Sequence, residues 1–283
     1  METILTPVLL LSIMGGAFAL IIGVVSKLTY IPVDEKVAQI REALPGANCG
    51  ACGYPGCDGC AVAIAKGEAP VNACPVGGEK SATAIAAIVG GDGDAGQKMV
   101  ASVFCQGSCE KTSENFTYQG EADCRIRAKQ FGGGKSCTYG CLGGGTCMAA
   151  CEFDAIRIVD GLAVIDEEKC VSCMKCIGVC PKHIIELVPY HAVAQVKCKN
   201  PEFGREVTSA CKIGCMGCGL CARMAPDEFA LEGKLAHPTY HVGYDIEKAK
   251  LAAEKCPTKA IVFNENGDVN AVIPEEEKET AEA

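Results

Sequence analysis

Twenty-two of the 283 residues are cysteine, and their spacing limits what this chain can fold into more than any other feature. Secreted scaffolds use cysteine that densely for disulfides, but such chains are short and their cysteines lack metal-ligand spacing. Here most fall in C-x2-C and C-x3-C groups followed by Cys-Pro. Soft thiolates so placed select iron–sulfur clusters or zinc, which points to a reducing compartment. Trp is absent and aromatics are only 5% of residues, so no large aromatic core is expected. Small lobes nucleated by their cofactors are the alternative, because metal binding supplies folding free energy. The formal net charge is -9, and an oxidised 4Fe–4S centre on four thiolates adds about -2 more. An acidic body of this kind argues against nucleic acid as a partner.

The most specific group is Cys170-x2-Cys173-x2-Cys176-x3-Cys180-Pro181. It matches the bacterial ferredoxin run, in which three close thiolates take three corners of a cubane and the fourth cysteine reaches the neighbouring cluster. Its partner lies upstream, in Cys141, Cys147 and Cys151, with Gly144 where the middle cysteine would stand and Glu152 in place of the usual proline. Cys137 is the natural replacement. Exchange of fourth ligands then predicts two sets: Cys137, Cys141, Cys147 and Cys180, and Cys170, Cys173, Cys176 and Cys151.

A third group, Cys215-x2-Cys218-x2-Cys221, has Ala225 at the fourth position and a distal Cys256-Pro257. These four cysteines are expected to hold a single 4Fe–4S cluster. The first group has a different spacing, Cys49-x2-Cys52-x4-Cys57 with a distal Cys74-Pro75. Its glycines let backbone N–H groups approach the cluster sulfurs, a lever on reduction potential. Cys60 is a fifth thiol there, read as a buried spare.

Cys105, Cys109, Cys124, Cys198 and Cys211 remain. A faint internal repeat bears on them: Val103-Phe104-Cys105 and Cys137-x3-Cys141 correspond to Val196-Lys197-Cys198 and Cys211-x3-Cys215. Two copies are too few for a solenoid and suggest a duplicated ferredoxin-like unit. Cys105 and Cys198 take matched positions, as do Cys137 and Cys211. The five thiols are either buried small hydrophobes or the source of four ligands for a fifth cluster, beyond the four counted above.

Residues 4–26 carry no charge and are long enough, at about 1.5 Å per residue, to cross a bilayer core of about 30 Å. A cleaved signal peptide would need a basic start and a small-residue cleavage site. Glu2 precedes this run, whereas Lys27, Lys36 and Arg41 follow it, which places the body on the cytoplasmic side of the cell (inner) membrane, single-pass. The expected architecture is α+β: an N-terminal transmembrane helix (1–27), a small helical four-cysteine iron–sulfur domain (28–80), a linker (81–98), and tandem ferredoxin-like domains. The first of these (99–190) carries the extra cysteines and two clusters, the second (191–265) one cluster, and 266–283 is an acidic, disordered tail.

Other motifs carry little. Gly134-Lys135-Ser136 looks like a phosphate loop, but Lys129 stands where its first glycine must be, so no nucleotide site is expected. His183, His191, His237 and His241 are scattered. Arg125, Arg127, Lys129 and Lys135 form a candidate basic patch for docking an acidic partner.

An apolar N-terminal run, then Asn48-Cys49-Gly50-Ala51-Cys52-Gly53-Tyr54-Pro55-Gly56-Cys57 with distal Cys74, then tandem ferredoxin groups, resembles the iron–sulfur B subunit of the Rnf complexes. Those are membrane-bound, ion-translocating ferredoxin:NAD+ oxidoreductases. The likeness covers about residues 1–265. It implies an electron relay that accepts electrons from soluble ferredoxin and passes them through 4Fe–4S clusters to membrane and flavin-bearing subunits, with no complete active site in this chain. The alternative is the ferredoxin-like subunit of another membrane oxidoreductase, such as a hydrogenase.

Overall fold

The computed structural model describes residues 2–28, 34–90, 98–190, 192–241 and 243–264. The expected acidic tail, His191 and most of the Gly/Asp linker lie outside the described residues. The apolar run forms one helix, α1 (Glu2–Leu28), with Lys27 in its last turn. The side chains described on it, from Ser12 to Lys27, are exposed, among them Leu20 and Ile22. Among the described residues no helix is long and apolar enough to cross a membrane.

Three helices build the first lobe: α2 (Glu35–Ala43), α3 (Gly56–Ala65) and α4 (Gly78–Val89). The Asp34 carboxylate caps α2 by accepting from Lys36 N, and Gly90 ends α4 in the left-handed conformation. Ile40, Leu44, Ile64 and Ile85 form the core together with Cys57, Cys60 and Cys74. The lobe therefore continues beyond residue 80. Ser81, Ala82, Ile85 and Ala86 recur at helical spacing and are buried, and Ser81 Oγ donates to Ala43 O at 2.8 Å.

Two ferredoxin-like lobes follow. β1 (Met99–Val103), α5 (Cys124–Lys129), α6 (Thr146–Ala149), β2 (Ile156–Val159), β3 (Leu162–Ile165), α7 (Lys175–Val179) and β4 (Ile185–Pro189) make the first. The second comprises β5 (Ala194–Val196), α8 (Arg205–Ala210), α9 (Leu220–Met224), β6 (Phe229–Glu232), β7 (Leu235–Pro238), α10 (Ile246–Lys255) and β8 (Ile261–Phe263). Both share one plan. The strand before the V-x-C cysteine pairs antiparallel with the strand after the final Cys-Pro, β1 with β4 and β5 with β8. Each lobe adds a hairpin, β2–β3 or β6–β7. The faint sequence repeat is thus a repeat of topology. Ser102 Oγ on β1 donates to Gln195 Oε1 on β5 at 2.8 Å, which joins the lobes.

The second lobe has an apolar centre of its own. Ala249, Ala252 and Ala253 of α10 face Val193, Ala194 and Phe229, and Asp245 caps the helix by accepting from Lys248 N at 3.0 Å. Ala225, at the place of a fourth ferredoxin cysteine, is completely buried in this core. Phe229 is 1% exposed, so Phe229→Ala is expected to cost about 3–5 kcal/mol, read as a lower midpoint in anaerobic denaturant unfolding.

Candidate metal centres

Four cavities in the ferredoxin-like lobes are each walled by four cysteines. Cys215, Cys218, Cys221 and Cys256 surround one of about 370 Å³, and Cys151, Cys170, Cys173 and Cys176 one of about 340 Å³. Both groupings are those expected from spacing. The local chain shapes them: Met174 and Gly219 sit in the left-handed region just before α7 and α9, turning the loops so that successive thiols face one point. Burial pushes Cys176 up to about 12, with its neighbours Cys170, Cys173 and Cys151 adding to the rise. A thiol so placed ionises only when a compensating charge enters the site, which iron would supply.

The third cavity, about 340 Å³, is walled by Cys141, Cys147, Cys180 and Cys124. Cys137 is not there. The reason lies at Gly144: a Cβ on this residue would stand 3.0 Å from Cys124 Sγ and 2.9 Å from Cys124 N. The sulfur of Cys124 fills the space that a cysteine at 144 would occupy in a standard ferredoxin run. It is held there by its own backbone N–H, which donates to Thr146 Oγ1 at 2.7 Å, and by Asp123, which caps α5 through Arg125 N at 2.7 Å. Burial pushes Cys147 up to about 12, with Cys141, Cys124 and Cys180 contributing.

Cys137 lines the fourth cavity instead, about 410 Å³ in size, with Cys105, Cys198 and Cys211. Of the five unassigned cysteines the structure thus brings Cys105, Cys198 and Cys211 together, sends Cys124 to another site, and leaves Cys109 exposed. Cys109 packs on the Asp160–Gly161 turn, its N–H donating to Asp160 O at 3.0 Å.

In the first lobe Cys52, Cys57 and Cys74 lie close together, and Cys60 is with them. Burial pushes Cys60 up to about 12, reinforced by Cys52, which also hydrogen-bonds it, and by Cys74 and Cys57. Asn48 orders the loop, its Oδ1 accepting from Cys57 N at 2.8 Å. Cys49 faces the neighbouring lobe: burial pushes the Cys173 thiol up, and Cys151 and Cys49 both add to it. The first lobe thus abuts the Cys151–Cys176 site.

Among the described residues no three His, Cys, Asp or Glu side chains close on a point as a single ion requires. A cubane asks for something else, sulfurs spread around a cavity with backbone N–H groups directed at them, and the cavities fit that demand.

Of the basic patch expected at Arg125, Arg127, Lys129 and Lys135, the structure leaves Arg125 and Lys129 exposed on α5 and withdraws Lys135. Lys135 is 7% exposed and its Nζ donates to Gly107 O and Gly161 O at 2.6 and 2.7 Å. Arg125 is paired with Asp123 at 2.6 Å, and Arg127 donates to Leu142 O and lies over the Tyr118 ring.

Duplicated ferredoxin-like lobes with cysteine-walled cavities, beside a helical lobe with its own cysteines, define a multi-cluster 4Fe–4S protein. Residues 44–76 match the family "Putative Fe-S cluster", residues 163–186 the "4Fe-4S binding domain", and residues 212–263 the "4Fe-4S single cluster domain of Ferredoxin I". The chain is 46% identical over 216 residues to the B subunit of the Na(+)-translocating ferredoxin:NAD(+) oxidoreductase complex of Acetobacterium woodii, an alignment covering 76% of this chain and 65% of that one. It is 33% identical over 264 residues to the B subunit of the ion-translocating oxidoreductase complex of Methanosarcina acetivorans, covering 92% and 98%. Over 264 residues it is 36% identical to the B subunit of the proton-translocating ferredoxin:NAD(+) oxidoreductase complex of Clostridium ljungdahlii, covering 92% and 93%. The chain belongs to this family, the B subunits of the ion-translocating oxidoreductase complexes.

Proposed function

We propose that this chain is the electron-relay subunit of a membrane-bound ferredoxin:NAD+ oxidoreductase that translocates ions. The observation that carries the reading is the series of cysteine-walled cavities leading from an exposed edge to the first lobe. A 4Fe–4S centre supplies one-electron exchange. The chain's own residues hold and insulate it: Cys215, Cys218, Cys221 and Cys256 at the exposed end, Cys124, Cys141, Cys147 and Cys180 next, then Cys151, Cys170, Cys173 and Cys176, and finally Cys52, Cys57 and Cys74, with Cys49 of the same motif as the fourth ligand. Cys60 adds a packed thiol beside the last set.

Entry of electrons is assigned to the edge around Cys218, an exposed cysteine. Arg223 donates from Nη2 to Cys218 O at 3.2 Å and is exposed, as is Lys234 beside Gly217. That local positive charge suits an acidic soluble ferredoxin despite the chain's overall charge. Exit is toward membrane and flavin-bearing subunits through the first lobe. The apolar, exposed side chains of α1 support a single-pass anchor in the inner membrane, with the body on the cytoplasmic side.

The test is stopped-flow reduction of the anaerobic full-length protein by reduced ferredoxin. Bleaching of the cluster absorption is expected, slowed several-fold by Arg223→Glu at low salt, the difference shrinking as salt rises. A chain that a hydrogenase reduces but ferredoxin does not would overturn the assignment in favour of another membrane oxidoreductase.

A further inference from the structure

We propose that Cys105, Cys137, Cys198 and Cys211 hold a further 4Fe–4S cluster on the seam between the two ferredoxin-like lobes. The proposal rests on the reading of this chain as an iron–sulfur relay and adds a site that no family match covers as a unit. Its cavity, about 410 Å³, is at least as large as the about 340 and 370 Å³ of the three ferredoxin-type cavities.

The four cysteines come in pairs from the two copies of the repeat. Cys105 and Cys198 follow β1 and β5, and Cys137 and Cys211 stand four residues before Cys141 and Cys215. Equivalent hydrogen bonds serve the equivalent sulfurs. Cys141 N donates to Cys105 Sγ at 3.4 Å, and in the other copy the backbone N–H of Cys215 donates to Cys198. Gly107 N also donates to Cys105 Sγ, at 3.3 Å, and Asn200 Nδ2 lies 3.9 Å from Cys137 Sγ. Directed N–H donors around sulfur are what an anionic cluster needs from its protein.

Two glycines show that the sulfurs face one another. A Cβ at Gly140 would stand 3.5 Å from Cys137 Sγ and 3.6 Å from Cys105 Sγ. At Gly107 it would stand 3.4 Å from Cys105 Sγ and 3.7 Å from Cys211 Sγ. Three thiols therefore converge where side chains are missing, and Cys198 completes the wall.

Charge points the same way. Lys135, Lys197 and Lys199 all line this cavity. Lys199 is paired with Glu186 at 2.6 Å and Lys197 donates to Ser102 Oγ, whereas Lys135 has no carboxylate partner among the described residues. Lys135 is buried with its ammonium on two neutral carbonyls, an expensive placement for a cation unless an anion lies near. Four thiolates with an oxidised cubane carry about -2 and supply that anion.

The position gives the site its role. It touches the Cys124–Cys180 cavity through the Cys141 N–H and the Cys215–Cys256 cavity through the Cys215 N–H. One electron enters on the Cys198 side and one leaves on the Cys105 side, so the charge of the site is restored after each transfer. Buried Lys135 favours the reduced form of this centre.

Native mass spectrometry and iron and sulfide quantification on the anaerobic full-length protein test the proposal. Five clusters and about 20 iron atoms are expected. Cys105→Ser combined with Cys198→Ser should remove about four of these and leave the paramagnetic resonance signals of the ferredoxin-type centres in place. Wild-type protein with four clusters and about 16 iron atoms would overturn the extra site while leaving the relay intact, and protein without iron would overturn the relay itself. A soluble double variant that keeps all its iron also overturns the site. If that variant does not fold, the wild-type count decides.

Discussion

Removal of iron is expected to unfold the chain from residue 34 onward, leaving holo- and apoprotein sharply different in protease resistance. Every sheet among the described residues has only two strands, and such pairs are marginal without a packed face or further support. Among the described residues the fully buried side chains are few and mostly small, with Phe229, Ile40, Ile64 and Ile85 among the largest. The core of the first ferredoxin-like lobe includes Cys141, Cys147 and Cys176 beside Ile184 and Ile185, so an emptied site is a hole in the middle of that core. Structural metal binding supplies on the order of 10 kcal/mol per site in small domains, more than a marginal lobe holds in reserve. Anaerobic trypsin digestion before and after chelation, followed by circular dichroism, measures the effect. Holoprotein should persist at least tenfold longer, and equal lifetimes would show that the apolar cores suffice.

The second large effect is expected from Cys124→Ser. It should lose one centre, about four iron atoms, and break the relay between the exposed end and the first lobe. Cys124 stands seventeen residues before Cys141 in the sequence, yet its sulfur occupies the place left by Gly144. Cys109→Ser, at an exposed thiol outside all four cavities, should leave iron content unchanged and serves as the control. Cys137→Ser should leave the Cys124 centre intact. If Cys137→Ser abolishes the Cys141–Cys180 signal while Cys124→Ser does not, the fourth ligand is Cys137, as motif spacing alone suggests.

The first-lobe boundary shows the same limits on a smaller scale. Ser81 to Val89 reads as the start of a linker because glycine and aspartate follow it, but its buried face belongs to the first lobe. Lys135 reads as part of a surface patch with Arg125, Arg127 and Lys129, whereas its backbone bridges to Glu114 and its ammonium donates to Gly107 O and Gly161 O in the interior. Neither outcome has a local signature, since burial depends on which distant segment covers a residue.

Local thiolate spacing determined most of the chemistry. Three cysteines within seven residues, as at Cys170–Cys176 and Cys215–Cys221, can wrap three corners of one cubane with no help from the rest of the chain. That is why the iron–sulfur class was legible in the sequence, along with which cysteines share those two cavities. The repeat of V-x-C and C-x3-C was also legible, as matched positions without a stated partner. Tertiary structure alone decided which thiols share a cavity: Cys124 rather than Cys137 with Cys141, Cys147 and Cys180, and Cys137 with Cys105, Cys198 and Cys211 on the seam between lobes. A fourth ligand arrives from a remote segment, and where that segment lands is set by the packing of whole lobes, by the cap at Asp123 and by the gap at Gly144, none of which is a property of cysteine spacing.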